Sequence, residues 1–230
     1  MVLILAVLPL AGGYNMYLMR AESPGPTVGN LVPRVRHTAR ILYEMYIFMT
    51  VIQIILLLIT GMSPFEAMTL SFGTAGTGGF GVLNSSIGSY SVASQAVITI
   101  FMILFGINFN VYYLLRVKKP MEACKHEEMR YYLGIIMIAV ILITVNIRDS
   151  FSSLMEAFHH AAFQVASIIT TTGYSTADFN LWPEFSRFIL VLLMFVGACA
   201  GSTGGGIKVS RVIIMMKLVK NELSYLIHPK

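Results

Sequence analysis

The chain has 230 residues, 56% of them hydrophobic and 12% charged, with a mean hydropathy of +0.74 and a formal net charge of +5. A soluble domain carries roughly 25% charged residues, so this composition excludes an ordinary soluble domain and marks a polytopic membrane protein. Its two cysteines, Cys124 and Cys199, have no spacing that reads as a disulfide framework or a zinc site.

Apolar runs near the ~20 residues needed to cross a bilayer start with Met1 to Met19. This run has no basic leading region and no small-residue cleavage site, so it reads as a retained helix bent at Pro9 and Gly12-Gly13 rather than a signal peptide. A basic loop, Arg20 to Arg40, leads to a second span, Ile41 to Thr60. A short segment opening with Glu66-Ala67 then ends in Thr77-Gly78-Gly79-Phe80, and Val92 to Leu115 reads as a third span. After the basic loop Arg116 to Arg130, Tyr131 to Ile147 is a fourth span, followed by a segment that opens with Glu156-Ala157 and ends in Thr171-Thr172-Gly173-Tyr174. The last run, Phe185 to Ile227, is interrupted by the Gly-rich stretch Gly197 to Gly206, which predicts a broken helix. Five crossings are expected.

The two Gly-aromatic strings align two copies of one unit, made of a helix, a re-entrant loop and a helix. Thirteen residues separate Glu66 from Gly79 and seventeen separate Glu156 from Gly173. The second descending helix is therefore longer by about one α-helical turn, which preserves its face. Both are too short to span and end in Gly and Thr, so each reads as a half-helix stopping near mid-membrane. Gly-containing backbone at that depth is tolerated only where it is buried in protein or lines a water-filled path. Such a string suits a cation: extended carbonyls and Thr hydroxyls can replace its hydration shell, and Gly permits the backbone angles that turn carbonyls inward. The C-terminal dipole end of each half-helix faces a cation favourably.

Fourteen of the sixteen Lys and Arg residues fall in Arg20 to Arg40, Arg116 to Arg130 and Lys208 to Lys230, and only Arg148 and Arg187 lie in the other loops. The positive-inside rule places the first set in the cytoplasm. The opposite side carries Glu66, Asp149, Glu156, Asp178 and Glu184, an acidic vestibule that concentrates cations. The basic inner face is the topology signal and calls for no nucleic acid.

Other motifs lose their chemistry on inspection. Ile207 separates Gly206 from Lys208, and Val209 follows, so the Gly-rich stretch is no nucleotide-binding loop. Ser202 has no well-placed His to activate it, which argues against an intramembrane protease. His159 and His160 read as packing or outer-layer residues on the second half-helix, with a pH-sensing role as the alternative. Lys208 and Arg211 read as cytoplasmic surface anchors in preference to pore-lining charges. Asp178 is placed at the outer mouth, attracting cations or capping the next segment, and Arg148-Asp149 as a local salt bridge.

Ser71-Phe72 through Phe80, Ile169-Thr170-Thr171-Thr172-Gly173-Tyr174-Ser175-Thr176 with Asp178-Phe179 and Trp182-Pro183, and Gly201-Ser202-Thr203-Gly204-Gly205-Gly206-Ile207-Lys208 resemble the bacterial Trk/Ktr potassium uptake family, its TrkH branch above all. So do Arg20 to Pro26 and Pro33 to Arg40. The resemblance runs essentially end to end. It implies an all-α polytopic protein of the K+ channel-like transporter superfamily, with four helix-pore loop-helix repeats around one pseudo-fourfold pore and one filter glycine from each repeat.

By the same resemblance the selectivity filter comprises Thr77, Gly78, Gly79, Phe80, Thr171, Thr172, Gly173 and Tyr174, with K+ held at Gly79 and Gly173 and flanking Thr77 and Thr172. Gly201, Ser202, Thr203, Gly204, Gly205 and Gly206 match the family's intramembrane gate loop. It further implies a subunit of the bacterial cytoplasmic membrane that is dimeric, is no enzyme, needs no cofactor and is regulated by a cytoplasmic TrkA-like nucleotide-binding ring.

The expected layout is the end of a preceding repeat (1–19), a cytoplasmic loop (20–40), one repeat (41–119), a second cytoplasmic loop (120–130) and another repeat with a Gly-rich broken last helix (131–230). That is about two of four repeats. The expectation is a truncated or partial TrkH-like pore subunit, completed by a missing half or by self-association. The alternative is a non-conducting scaffold or assembly partner of a split potassium transporter.

Overall fold

A computed structural model describes residues 35–116 and 120–227; the expected first helix, Met1 to Met19, lies outside them. Among the described residues the chain is helical apart from one isolated bridge between Val196 and Ile207. The order is α1 (Val35–Ile59), α2 (Pro64–Ala75), α3 (Val92–Phe105), α4 (Phe109–Arg116), α5 (Pro120–Cys124), α6 (Glu127–Ile147), a 3-10 turn (Arg148–Ser150), α7 (Leu154–Ile169), a second 3-10 turn (Phe179–Leu181), α8 (Glu184–Phe195) and α9 (Val209–Ile227). Two helical stretches, Ile41–Ile59 and Glu127–Ser150, are long and apolar enough to cross a membrane, and the bent pair α3 and α4 makes a third if counted as one span.

One feature of the sequence sets the start of both half-helices. Each starts at a Ser-x-x-Glu capping signal. Ser63 Oγ accepts from Glu66 N at 3.3 Å while Glu66 Oε2 accepts from Ser63 N at 3.4 Å, with Pro64 opening the first turn. Ser153 Oγ accepts from Glu156 N at 3.1 Å, and Glu156 Oε2 accepts from Ser152 N at 3.1 Å. The helices then run 12 and 16 residues, the four-residue difference the spacing predicts. Both stop short of a full crossing.

The half-helices are wedged between neighbouring helices. α2 packs on α1 and α3, and α7 packs on α3, α6 and α8. One core gathers Ile136, Ile143, Ala157, Ala161, Val165, Trp182 and Leu190; another gathers Leu57, Leu70, Ile98, Phe163 and Tyr174, joining the two halves of the described chain.

The run Val92 to Leu115, expected as one span, is two helices bent by 90°. Gly106 ends α3, its N–H bonding back to Met102 and Ile103, and Asn108 Oδ1 accepts from Asn110 N at 2.9 Å to start α4. The bend has a packing reason. A Cβ on Gly106 would lie 2.9 Å from Tyr132 Cζ, closer still to its hydroxyl, and 3.0 Å from Thr170 Cγ2. The freed carbonyls are also taken up, because Tyr132 Oη donates to Ile103 O at 3.2 Å and Cys199 N donates to Gly106 O at 3.0 Å.

Gly106→Ala should therefore lower stability by about 1–3 kcal/mol through overpacking. Gly134→Ala, in mid-α6 where a Cβ meets nothing within 4 Å, should be neutral or stabilising by up to about 1 kcal/mol. Thermal unfolding of the purified protein in detergent checks the order; equal midpoints would contradict this account of the bend.

Candidate functional site

The two strings are built alike down to the backbone. α2 ends with Thr77 N–H on Thr74 O (3.2 Å) and Gly78 N–H on Gly73 O (2.8 Å); α7 ends with Thr171 N–H on Ile168 O (3.0 Å) and Thr172 N–H on Ser167 O (2.9 Å). This is the Schellman pairing, which needs a left-handed residue just past the helix and usually has Gly there. Here that residue is Thr both times, at φ +50° for Thr77 and +58° for Thr171. A β-branched residue in that region is strained by about 1–3 kcal/mol. Two residues on, Gly79 (φ +69°) and Gly173 (φ +91°) are left-handed again.

The Thr hydroxyls explain why Gly does not stand in their place. Thr77 Oγ1 donates to Thr203 O at 3.2 Å as well as to Gly76 O at 2.8 Å, and Thr171 Oγ1 accepts from Gly205 N at 2.7 Å. Each strained Thr thus holds the Gly-rich loop 201–206 against its own string. Gly204 completes the contact, since a Cβ there would meet Thr170 O at 3.1 Å and Ala198 Cβ at 2.7 Å. The structure therefore brings Thr77, Gly78, Gly79, Thr171, Thr172 and Gly173 together with Gly201–Gly206 in one layered arrangement.

The strings also touch each other. A Cβ on Gly79 would collide with Thr172 O and fall 3.2 Å from Gly173 Cα, whereas one on Gly173 would meet nothing within 4 Å. Gly173 faces open space. Thr172 is buried, its hydroxyl paired with Thr170 Oγ1 at 2.8 Å.

The aromatic ends of the strings part company. Tyr174 is 0% exposed, its ring packed against Gly73 of α2 and its hydroxyl donating to Leu70 O at 3.3 Å, while Phe80 is 82% exposed. Above the strings, Ser167 Oγ donates to Tyr174 O (2.6 Å), Ile87 N to Ser175 O (3.0 Å) and Ser175 N to Ser86 Oγ (3.2 Å), lacing the second string to the loop after the first.

Polar groups around that loop stabilise it. Gln95 Nε2 donates to the carbonyls of Ile87, Gly88 and Tyr90, and its Oε1 pairs with His159 Nε2 at 2.7 Å. His160 Nδ1 pairs with Thr176 Oγ1 at 2.8 Å and its ring stacks on Phe151. Both histidines are thus packing residues with polar partners. Tyr90 Oη donates to Glu66 Oε1 at 3.0 Å, and burial together with the Glu66 carboxylate pushes the phenol up to about 12, so this donor persists at any physiological pH. Asp178 caps the second 3-10 turn through Asn180 N at 3.0 Å, and Arg148 pairs with Asp149 at 3.2 Å.

The Gly-rich loop interrupts the last run between α8 and α9. Gly197 N donates to Ile207 O at 2.8 Å and Val209 N to Ala198 O at 3.3 Å, so the loop leaves and returns through a narrow neck. A Cβ on Gly197 would strike Gly205 O, which requires Gly there. Ser202 Oγ donates to Cys199 O at 2.6 Å, so this hydroxyl is engaged in a structural turn.

Lys208 departs from the surface-anchor expectation. It is 8% exposed, and its ammonium donates to Gly204 O inside the loop, while Arg211 is exposed as expected. Burial is tolerated because the carbonyls of an irregular loop are free to accept. Glu128 and Asn108 were also not evident as site residues in the sequence; the Gly106-Ile107-Asn108 interruption of an apolar run was the available signal.

The TrkH family, described as cation transport proteins, matches residues 1–230. The chain belongs to the TrkH family. It is 36% identical to the Trk system potassium uptake protein TrkH of Escherichia coli K12 over 233 aligned positions, covering 99% of this chain and 48% of that protein. It is 32% identical to TrkG of the same organism, covering 100% and 48%. The crystal structure of the potassium transporter TrkH from Vibrio parahaemolyticus superposes with a TM-score of 0.85 at 29% identity, over 100% of this chain and 48% of that one. This TrkH-family chain therefore spans about half the length of the relatives it matches, and the family is one of transporters rather than enzymes.

Gly79→Ala in this family member sets a Cβ against a neighbouring carbonyl and strains φ, whereas Gly173→Ala strains φ alone, by about 1–2 kcal/mol. Gly79→Ala should have the lower unfolding midpoint in detergent. A Gly173→Ala midpoint at or below that of Gly79→Ala would contradict the packing of the strings.

Proposed function

We propose that this chain supplies two filter strings and the gate loop of a multi-pass potassium uptake pore in the bacterial cytoplasmic membrane. The observation that carries the reading is the matched backbone of the strings. Two half-helices end in the same Schellman pairing, with left-handed residues at Thr77 and Gly79 and again at Thr171 and Gly173. Their C-terminal dipole ends present partial negative charge toward the strings. Ring-like arrays of backbone carbonyls are the chemistry by which channels replace a potassium ion's water.

In this reading 41–119 and 131–230 are two repeats of one design. K+ is the transported ion, held by the strings at Gly79 and Gly173 with Thr77 and Thr172 beside them, and residues 201–206 obstruct the path beneath. Phe80 supports further repeats around the same axis: its counterpart Tyr174 is received by α2, and Phe80 stands free for an adjoining pore helix to receive in the same way. Those repeats come from the rest of a longer transporter or from a second copy of this chain, and a TrkA-like nucleotide-binding ring is the cytoplasmic regulator.

Rubidium uptake in a bacterium stripped of its own potassium importers tests the proposal. The chain, alone or with a partner half drawn from the remaining half of a TrkH relative, should restore uptake, and Gly173→Asp should abolish it at equal membrane abundance. Equal uptake by the two would exclude the second string from the ion path.

A further inference from the structure

A buried carboxylate lies at the cytoplasmic end of α6. Glu128 is 7% exposed, and its two oxygens accept from three donors in three different segments. Oε1 accepts from Ala200 N at 2.6 Å and from Ser210 N at 3.2 Å, and Oε2 accepts from Asn108 Nδ2 at 3.3 Å. Ala200 precedes the Gly-rich loop and Ser210 follows it. Asn108 lies in the bend between α3 and α4. One side chain therefore holds both ends of one helix break and the corner of the other.

A charge is costly to place here unless its lone pairs are filled, and removing a partner leaves buried donors unpaired. The two backbone donors exist because the chain leaves helical geometry around the loop, so they have no helical acceptor. Neighbouring contacts point the same way: Phe109 N donates to Gly201 O at 3.3 Å, and Thr203 Oγ1 reaches Phe105 O at 3.5 Å. Lys208, buried just after the loop, donates back to Gly204 O within it. Adjacent Glu127 is different, being exposed and paired with Lys217 at 2.7 Å.

We propose that Glu128 is the positioning residue that fixes the Gly-rich loop in its obstructing place, with Asn108 linking that position to the bend between α3 and α4. Displacement of the loop requires Ala200 and Ser210 to leave the carboxylate. The inference rests on the reading of 201–206 as the gate, but its test needs no ion transport.

Cys199 is the reporter, since it is 0% exposed and directly precedes Ala200. In a Cys124→Ser background, purified protein in lipid nanodiscs is treated with a water-soluble methanethiosulfonate, and the modification rate of Cys199 is followed by mass spectrometry. Glu128→Gln keeps one acceptor oxygen but sets an amide donor against the Asn108 amide. It should raise the rate about tenfold, leaving the Trp182 emission maximum and gel-filtration position unchanged, and Glu127→Gln should leave the rate unchanged.

An unchanged rate in folded Glu128→Gln overturns the proposal, and so does an equal rise in Glu127→Gln. If Glu128→Gln does not fold, Asn108→Ala decides, with a roughly threefold rise supporting the proposal and no rise overturning it. A raised rate alongside failed rubidium uptake would leave the positioning role standing and reject the pore reading alone.

Discussion

Lipid offers no hydrogen bonds, so every backbone group that leaves a helix at membrane depth must find its partner inside the protein. This chain leaves helical geometry after Ala75, Phe105, Ile169 and Phe195, and the described interactions close these breaks against one another. The break after Phe105 gives its Gly106 carbonyl to Cys199 of the later break; that break gives Ala200 and Ser210 N–H groups to Glu128; the Gly-rich loop gives Gly205 N–H to Thr171 and accepts a hydrogen bond from Thr77 at Thr203 O. The irregular segments are thus mutually dependent, and strings and loop form a single cooperative layer.

Strain is placed where that layer needs chemistry. Glycine would satisfy the left-handed positions after α2 and α7 without penalty, yet Thr occupies both, and both hydroxyls bind the loop. Where only clearance matters the residue is Gly: Gly79 abuts Thr172, Gly197 abuts Gly205, and Gly204 abuts Thr170. The contrast separates glycines that admit a neighbouring backbone from Gly173, which faces open space. A buried carboxylate and a buried ammonium lie below the strings, the first satisfied by two backbone N–H groups and Asn108 and the second by Gly204 O, rather than by one another.

Much of this was legible in the sequence because apolar length and Gly-Thr strings are local signals. The half-helices, their four-residue difference in length and the broken last run all follow from spacing. The capping box at Ser63 and the N-cap at Ser153 both stand in Ser-x-x-Glu strings, and they account for the paired Glu-Ala markers. The 90° bend at Gly106 was not legible, because Gly106 and Asn108 are only a brief interruption of an apolar run and the cause of the bend is the approach of Tyr132 from α6. Burial of Lys208 was equally hidden, since its acceptor is a loop carbonyl that exists only once the chain folds back through the neck at Gly197 and Ile207. Partners distant in sequence decide such cases, and local pattern carries no trace of them.

The central claim is that the strings Thr77–Gly79 and Thr171–Gly173 line one ion path. Anomalous diffraction from thallium-soaked crystals of the chain in its complete assembly tests this most directly. The account predicts a thallium peak between the two strings, at coordination distance from backbone carbonyls of both. A peak elsewhere in the assembly, with side chains filling the space between the strings, would contradict it.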